Sequence, residues 1–127
     1  MQLSKPRRSG RRRLALILLL LLGVLANDGP LAGVAEVDIT PAIGLPKFGY
    51  SAWAKNADGF RTRLKARAFY LHGPGQTPLA LVQLDLGAGS LPLHYAVAER
   101  IAAATDVPAR GLSLLVTHTH SGPGQYL

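Results

Sequence analysis

Two histidines near the carboxyl end, His118 and His120, are the residues whose type and spacing could do chemistry. They close an apolar, β-prone run, Leu112-Ser113-Leu114-Leu115-Val116-Thr117, and precede Ser121-Gly122-Pro123-Gly124. In a strand continuing through residue 120, side chains two apart share a face, with Cα atoms about 6.5–7 Å apart. Two imidazoles so placed can grip one metal ion from the same side, and neutral imidazole nitrogens are the donors that zinc takes. Gly122, Pro123 and Gly124 then break the strand and leave the backbone free to approach a ligand, which makes Gly122 a candidate substrate contact. The competing reading of the same spacing is a pair of half-buried histidines satisfied by hydrogen bonds.

The elements that must position this pair can be read upstream. Gly33–Thr40 alternates in period two, with Ala35, Val37 and Ile39 on one face, and Pro41 closes it as a first strand. Residues 41–60 form a long loop carrying Phe48, Tyr50 and Trp53. These aromatics either line an apolar substrate entrance or pin the loop to the core. From Arg61 to Leu71 the alternation predicts a strand with Arg61, Arg63, Lys65 and Arg67 on one face and Leu64, Ala66 and Ala68 on the other. The basic stripe reads as a solvated or acid-paired face.

His72–Thr77 is a turn, and Pro78–Leu86 a buried strand paired back as a hairpin. Asp85 interrupts that hydrophobic run, so its carboxylate is either paired or at the edge of a site. Ser90 as N-cap, Pro92 in the first turn, and Leu93, Val97, Ile101 and Ala104 at helical spacing predict a helix ending near Thr105. His94, in its first turn, reads as a surface or capping histidine. Strand, hairpin, helix and strand together give an α/β fold.

Length and charge bound the rest. At 127 residues the chain is one domain at most. Lys5, Arg7, Arg8, Arg11, Arg12 and Arg13 precede the thirteen-residue apolar run Leu14–Ala26. That run spans about 20 Å as a helix, short of a roughly 30 Å hydrocarbon core. Residues 1–32 therefore read as a secretory signal peptide, cleaved after Ala26 or Ala32, with an uncleaved N-terminal anchor as the alternative. The protein is expected to be exported, secreted or held in a bacterial envelope. Beyond Asn27 eight basic residues face seven acidic ones, so the formal charge of +7 comes from the leader and no nucleic-acid partner is implied. With no cysteine, disulfides and thiolate metal ligands are excluded.

From Ala32 to Leu127 the chain resembles the N-terminal part of the neutral/alkaline, non-lysosomal ceramidase family. The resemblance rests on five blocks in order: Gly33–Pro41 (GVAEVDITP), Phe48–Ser51 (FGYS), Gly59–Phe69 (GFRTRLKARAF), Gln83–Gly87 (QLDLG) and Thr117–Tyr126 (THTHSGPGQY). The last block is the most specific. The resemblance implies a zinc-dependent amidase that cleaves the N-acyl bond of ceramide to sphingosine and fatty acid. It implies His118 as a Zn2+ ligand, with His120 contacting substrate or positioning the attacking water. The strand argument alone does not rank the two. A further His, a Glu and a Tyr later in such chains complete the metal site. Residues 33–127 are thus expected to be an incomplete portion of a larger zinc-hydrolase domain, inactive alone, whose partners are ceramide or a related N-acyl sphingolipid and a membrane surface.

Two other metallohydrolase patterns fit less well. A metallo-β-lactamase-type site would need Asp and His where Gly122 and Pro123 stand, and an amidohydrolase barrel would carry His-x-His near its start. The remaining alternatives are a non-catalytic envelope module or an amidase for another N-acyl lipid.

Overall fold

The computed structural model describes residues 29–124. The leader expected at residues 1–32 falls outside them except for its last four residues, of which Leu31 and Ala32 belong to the first strand. Four strands form one sheet in chain order: β1 (Leu31–Asp38), β2 (Lys65–His72), β3 (Leu79–Leu84) and β4 (Leu112–Val116). The first three run antiparallel, and β4 lies parallel to β3. A parallel neighbour requires a crossover, supplied by helix α1 (Leu91–Ala104). The expected α/β architecture, hairpin and helix are all present.

Helix α1 starts where its signals place it. The Ser90 hydroxyl accepts the Leu93 N–H at 3.3 Å, and Pro92 occupies the first turn. It stops where the Thr105 hydroxyl donates to the Ile101 carbonyl at 2.8 Å. Its buried side, centred on Ala98 with Val97 and Ile101, covers Ala80, Val82, Leu112 and Leu114 of the sheet, with Val107 closing the core. The Tyr70 hydroxyl donates to Asp106 at 2.7 Å, tying β2 to the segment after α1, and that carboxylate pushes the phenol's pKa above its ordinary value.

The other face of the sheet divides by chemistry. Phe69, Leu71, Leu79, Leu81 and Leu115 stand exposed on it, with Val34. Beside them lies the stripe read from the sequence, in altered form. Only Lys65 and Arg67 are on β2; Arg61 and Arg63 precede it, with the Arg63 guanidinium 4.5 Å from the centre of the Phe60 ring. Lys65 meets Glu36 at 3.6 Å and Asp38 at 3.9 Å, while Arg67 meets Glu36 at 3.0 Å and Asp85 at 3.2 Å. The two strand cations, Lys65 and Arg67, are acid-paired, and Asp85 is their anchor: its carboxylate also accepts the Lys65 N–H at 2.9 Å.

β2, β3 and β4 are shorter than the hydropathy pattern suggests, and β1 keeps its length but lies two residues earlier, for local reasons. β1 ends at Asp38 because that carboxylate accepts the Thr40 N–H at 2.8 Å, and Thr40 then caps Leu64 N–H through its hydroxyl at 2.8 Å. The bonds from Thr40 hold the Asp38 carboxyl below the usual carboxylate range. β3 and β4 end together at Leu84 and Val116, which are partners in register.

The ion pairs differ in depth, and their removal should show it. Asp85→Ala leaves a half-buried guanidinium and a backbone N–H without their acceptor and is expected to lower unfolding free energy by about 1.5–3 kcal/mol. Glu36→Ala removes only more exposed pairs and should cost less than about 1 kcal/mol. Denaturant titrations of the two variants check the order; equal losses would remove Asp85 from its role as anchor.

Candidate active site

Because β3 and β4 are parallel, their carboxyl ends emerge side by side, and the chain beyond each contributes to one site. The Thr117 N–H donates to the Leu84 carbonyl at 3.0 Å, and past this rung the strand stops. His118 and His120 are therefore not on a continuing strand face, contrary to the sequence expectation. β3 offers no further partner after Leu84, and His118 turns into the left-handed region with φ 58°. For a residue with a Cβ that conformation costs roughly 1–2 kcal/mol, and such outliers cluster at functional sites.

The turn gives His118 its hydrogen-bond partner. Its Nδ1 lies 2.5 Å from the carbonyl oxygen of Gly87, in the segment that follows β3. A carbonyl can only accept, so Nδ1 carries a proton, and in the neutral ring the lone pair then belongs to Nε2. A histidine anchored through one nitrogen, with a second imidazole facing the other, has the form of a metal ligand with its supporting carbonyl in place. His120 approaches from the same turn, its Nε2 3.5 Å from that of His118 and the rings nearly perpendicular at 87°. The pair is brought together as expected, by a curled backbone instead of a pleat.

The long loop closes over it. Residues 46–48 and 122–124 are joined by the Lys47–Pro123 bridge, with Phe48 N–H donating to Gly122 O at 3.0 Å and Gly124 N–H to Pro46 O at 2.8 Å. This seats the Phe48 ring edge-on to both imidazoles, 6.0 Å from His118 and 5.6 Å from His120. The Tyr50 ring lies 5.8 Å from His120 on another side. Of the loop aromatics, Phe48 pins the loop, while Trp53 is 88% exposed. Gly122 is buried, and its carbonyl is the one that holds Phe48, so it enters the site through its backbone. A cavity of about 210 Å³ adjoins the turn, lined by Lys47, Phe60, Arg61 and Ser121 among others.

The donor set fits a metal in part. His118 presents a lone pair and His120 stands beside it, but no third His, Cys, Asp or Glu joins them among the described residues. Catalytic zinc generally takes three protein ligands. Asp85 is engaged by Lys65 and Arg67, and His94 stacks edge-on to Tyr95 on α1. Sequence reasoning had no means of finding the Gly87 carbonyl or the Phe48 contacts, although both residues sit in blocks that carry the family resemblance.

Residues 31–127 match the family model described as neutral/alkaline non-lysosomal ceramidase, N-terminal. Neutral ceramidase 3 of Arabidopsis thaliana is 35% identical over 115 residues, covering 88% of this chain and 16% of the relative. Neutral ceramidase of Pseudomonas aeruginosa is 33% identical over 106 residues, covering 80% and 16%. The crystal structure of the Pseudomonas aeruginosa enzyme superposes with a TM-score of 0.66 at 32% identity, over 77% of this chain and 16% of that one. The chain thus spans about a sixth of the length of these relatives.

Gly49 carries a prediction about the pair. With φ 88°, it is left-handed, and a Cβ there would overlap Nδ1 and Cε1 of His120. Gly44, with φ 94°, has nothing within 4 Å of the same added atom. Gly44→Ala should cost only the conformational penalty of roughly 1–2 kcal/mol. Gly49→Ala is expected to cost more and to shift the His120 ring resonances, which Gly44→Ala leaves in place. Thermal unfolding and histidine NMR of both variants provide the comparison.

Proposed function

This chain belongs to the neutral/alkaline non-lysosomal ceramidase family, and from that membership we propose that it contributes the first part of a zinc-dependent site hydrolysing the N-acyl amide bond of ceramide. The observation that carries the reading is His118, anchored at Nδ1 by the Gly87 carbonyl and facing the Nε2 of His120 with its own Nε2.

In this reading His118 holds Zn2+ through Nε2, with the remaining ligands supplied from outside the described residues. When bound, the ion polarises the amide carbonyl and lowers the pKa of water at the site. The chain's own residues do the rest. The Gly87 carbonyl fixes the His118 tautomer. His120, at hydrogen-bonding reach of the same point, orients the attacking water or the substrate. Phe48 and Tyr50 flank the imidazoles edge-on and orient them, and the backbone at Gly122 holds the loop against them. In hydrolysis the water oxygen bonds to the acyl carbon, the C–N bond breaks, and the amine leaves with a proton as sphingosine while the acyl group leaves as fatty acid. Two imidazoles alone do not complete such a site, so these residues act only together with the further ligands.

Ceramide as substrate implies work at a membrane surface, and the reading of residues 1–32 as a leader implies export from the cytoplasm. Of the two cleavage positions, Ala32 lies within β1, paired with Leu71, so processing there would shorten the edge strand. Processing after Ala26 leaves β1 whole.

A chimera tests the reading, with residues 31–124 replacing the matching segment of the Pseudomonas aeruginosa enzyme. It is expected to release sphingosine from ceramide, to lose activity on chelation and regain it with zinc, and to be inactive as His118→Ala. His120→Ala should retain zinc and lose about 100-fold or more in turnover. A folded, zinc-loaded chimera that leaves ceramide intact would refute the substrate, and activity surviving His118→Ala would refute the ligand assignment.

A further inference from the structure

Gly87 has a second property that its hydrogen bond does not use. A Cβ built on it would fall on the Phe48 ring; the three nearest atoms are all ring atoms of Phe48. Gly87 is buried, and it is not among the left-handed glycines, which are Gly44, Gly49 and Gly75. Its backbone conformation is therefore open to any residue, and glycine is required there for space alone. The ring that fills this space is the one lying edge-on to both imidazoles.

We propose that Gly87 and Phe48 form a notch and wedge that sets the imidazole pair, making Phe48 a positioning residue for both histidines. The notch supplies the carbonyl for His118 and the room for the ring. The wedge is delivered by the Phe48 N–H to Gly122 carbonyl bond, which ties its backbone to the same turn that carries the histidines. Loop, β3 extension and histidine turn consequently share one small volume: a methyl at Gly87 displaces the ring, and the ring cannot move without releasing one or both imidazoles. The inference rests on the reading of His118 and His120 as the working pair, but the geometry it invokes holds whether or not a metal is bound.

A double-mutant cycle on the full chain decides it: wild type, Gly87→Ala, Phe48→Ala and the double variant. Long-range nitrogen–proton NMR, at a pH where both imidazoles are neutral, reads the tautomer and environment of each histidine ring. Amide resonances of α1 report that the fold is intact. Zinc affinity is the second readout. His118 is expected to be protonated at Nδ1 in the wild type. Gly87→Ala should disturb both histidines and weaken zinc binding by about 10–100-fold, as loss of a ligand's supporting partner does. In the Phe48→Ala background the same methyl should have little further effect, because the Cγ, Cδ1 and Cε1 atoms it would meet are gone.

If Gly87→Ala alone fails to fold, recovery of the fold in the double variant supports the notch. Phe48→Ala alone must still move both histidine spectra. Additive effects, or a Phe48→Ala variant with unchanged histidine spectra, would overturn the proposal. A coupled NMR cycle supports the wedge whether or not this chain alone binds zinc; a chimera that folds without taking up zinc would count against the metal reading and leave the wedge standing.

Discussion

The pairing of β4 parallel to β3 is the constraint from which the rest of this structure follows. An antiparallel fourth strand could have followed β3 through a short turn. A parallel one obliges the chain to return across the sheet, and that return is α1. The crossover gives the sheet a covered face. It also sets two strand ends side by side, each followed by irregular backbone. Open α/β sheets commonly place ligands at the carboxyl ends of their strands, and here those ends supply the Gly87 carbonyl and the histidine turn.

At the end of the sheet, polar groups that lose the strand ladder find other partners. The carbonyl of buried Gly87 meets His118, which leaves extended geometry because a pleated continuation of β4 has no neighbouring strand beyond Leu84. Asp85, two residues before Gly87, is partnered differently, by accepting the Lys65 N–H and the Arg67 guanidinium. Two adjacent polar groups at the end of β3 thus take separate roles: the carboxylate locks the hairpin, and the carbonyl addresses the imidazole.

Much of the scaffold was legible in the residues. Ser90, Pro92 and the spacing of Leu93, Val97 and Ile101 mark the helix because capping and amphipathicity are local. The hairpin followed from the turn at 73–77 between two β-prone runs. Strand ends were not legible, because they depend on where a neighbour stops and on side chains such as Asp38 folding back onto the backbone. Arg61 and Arg63 fit the alternation yet lie before the strand for that reason. The convergence of His118 and His120 was anticipated from period two, but it arises from a left-handed residue. The Gly87 carbonyl was invisible, since every residue carries a carbonyl and only the fold selects which one matters.

The loop that bears Phe48 is fastened well below its tip. Rungs from Gly44 to Ala57 and from Lys47 to Lys55, with the bonds to Gly122 and Pro46, hold its base. The Ser51–Trp53 turn lies beyond them in solvent. Lengthening a flexible segment is thermodynamically mild, about 0.6 kcal/mol for each doubling. Insertions past Tyr50 can therefore accumulate without moving the histidines. Such a layout separates what must stay fixed from what is free to diversify, so descendants of this chain can explore new contacts at the loop tip while inheriting the same two imidazoles.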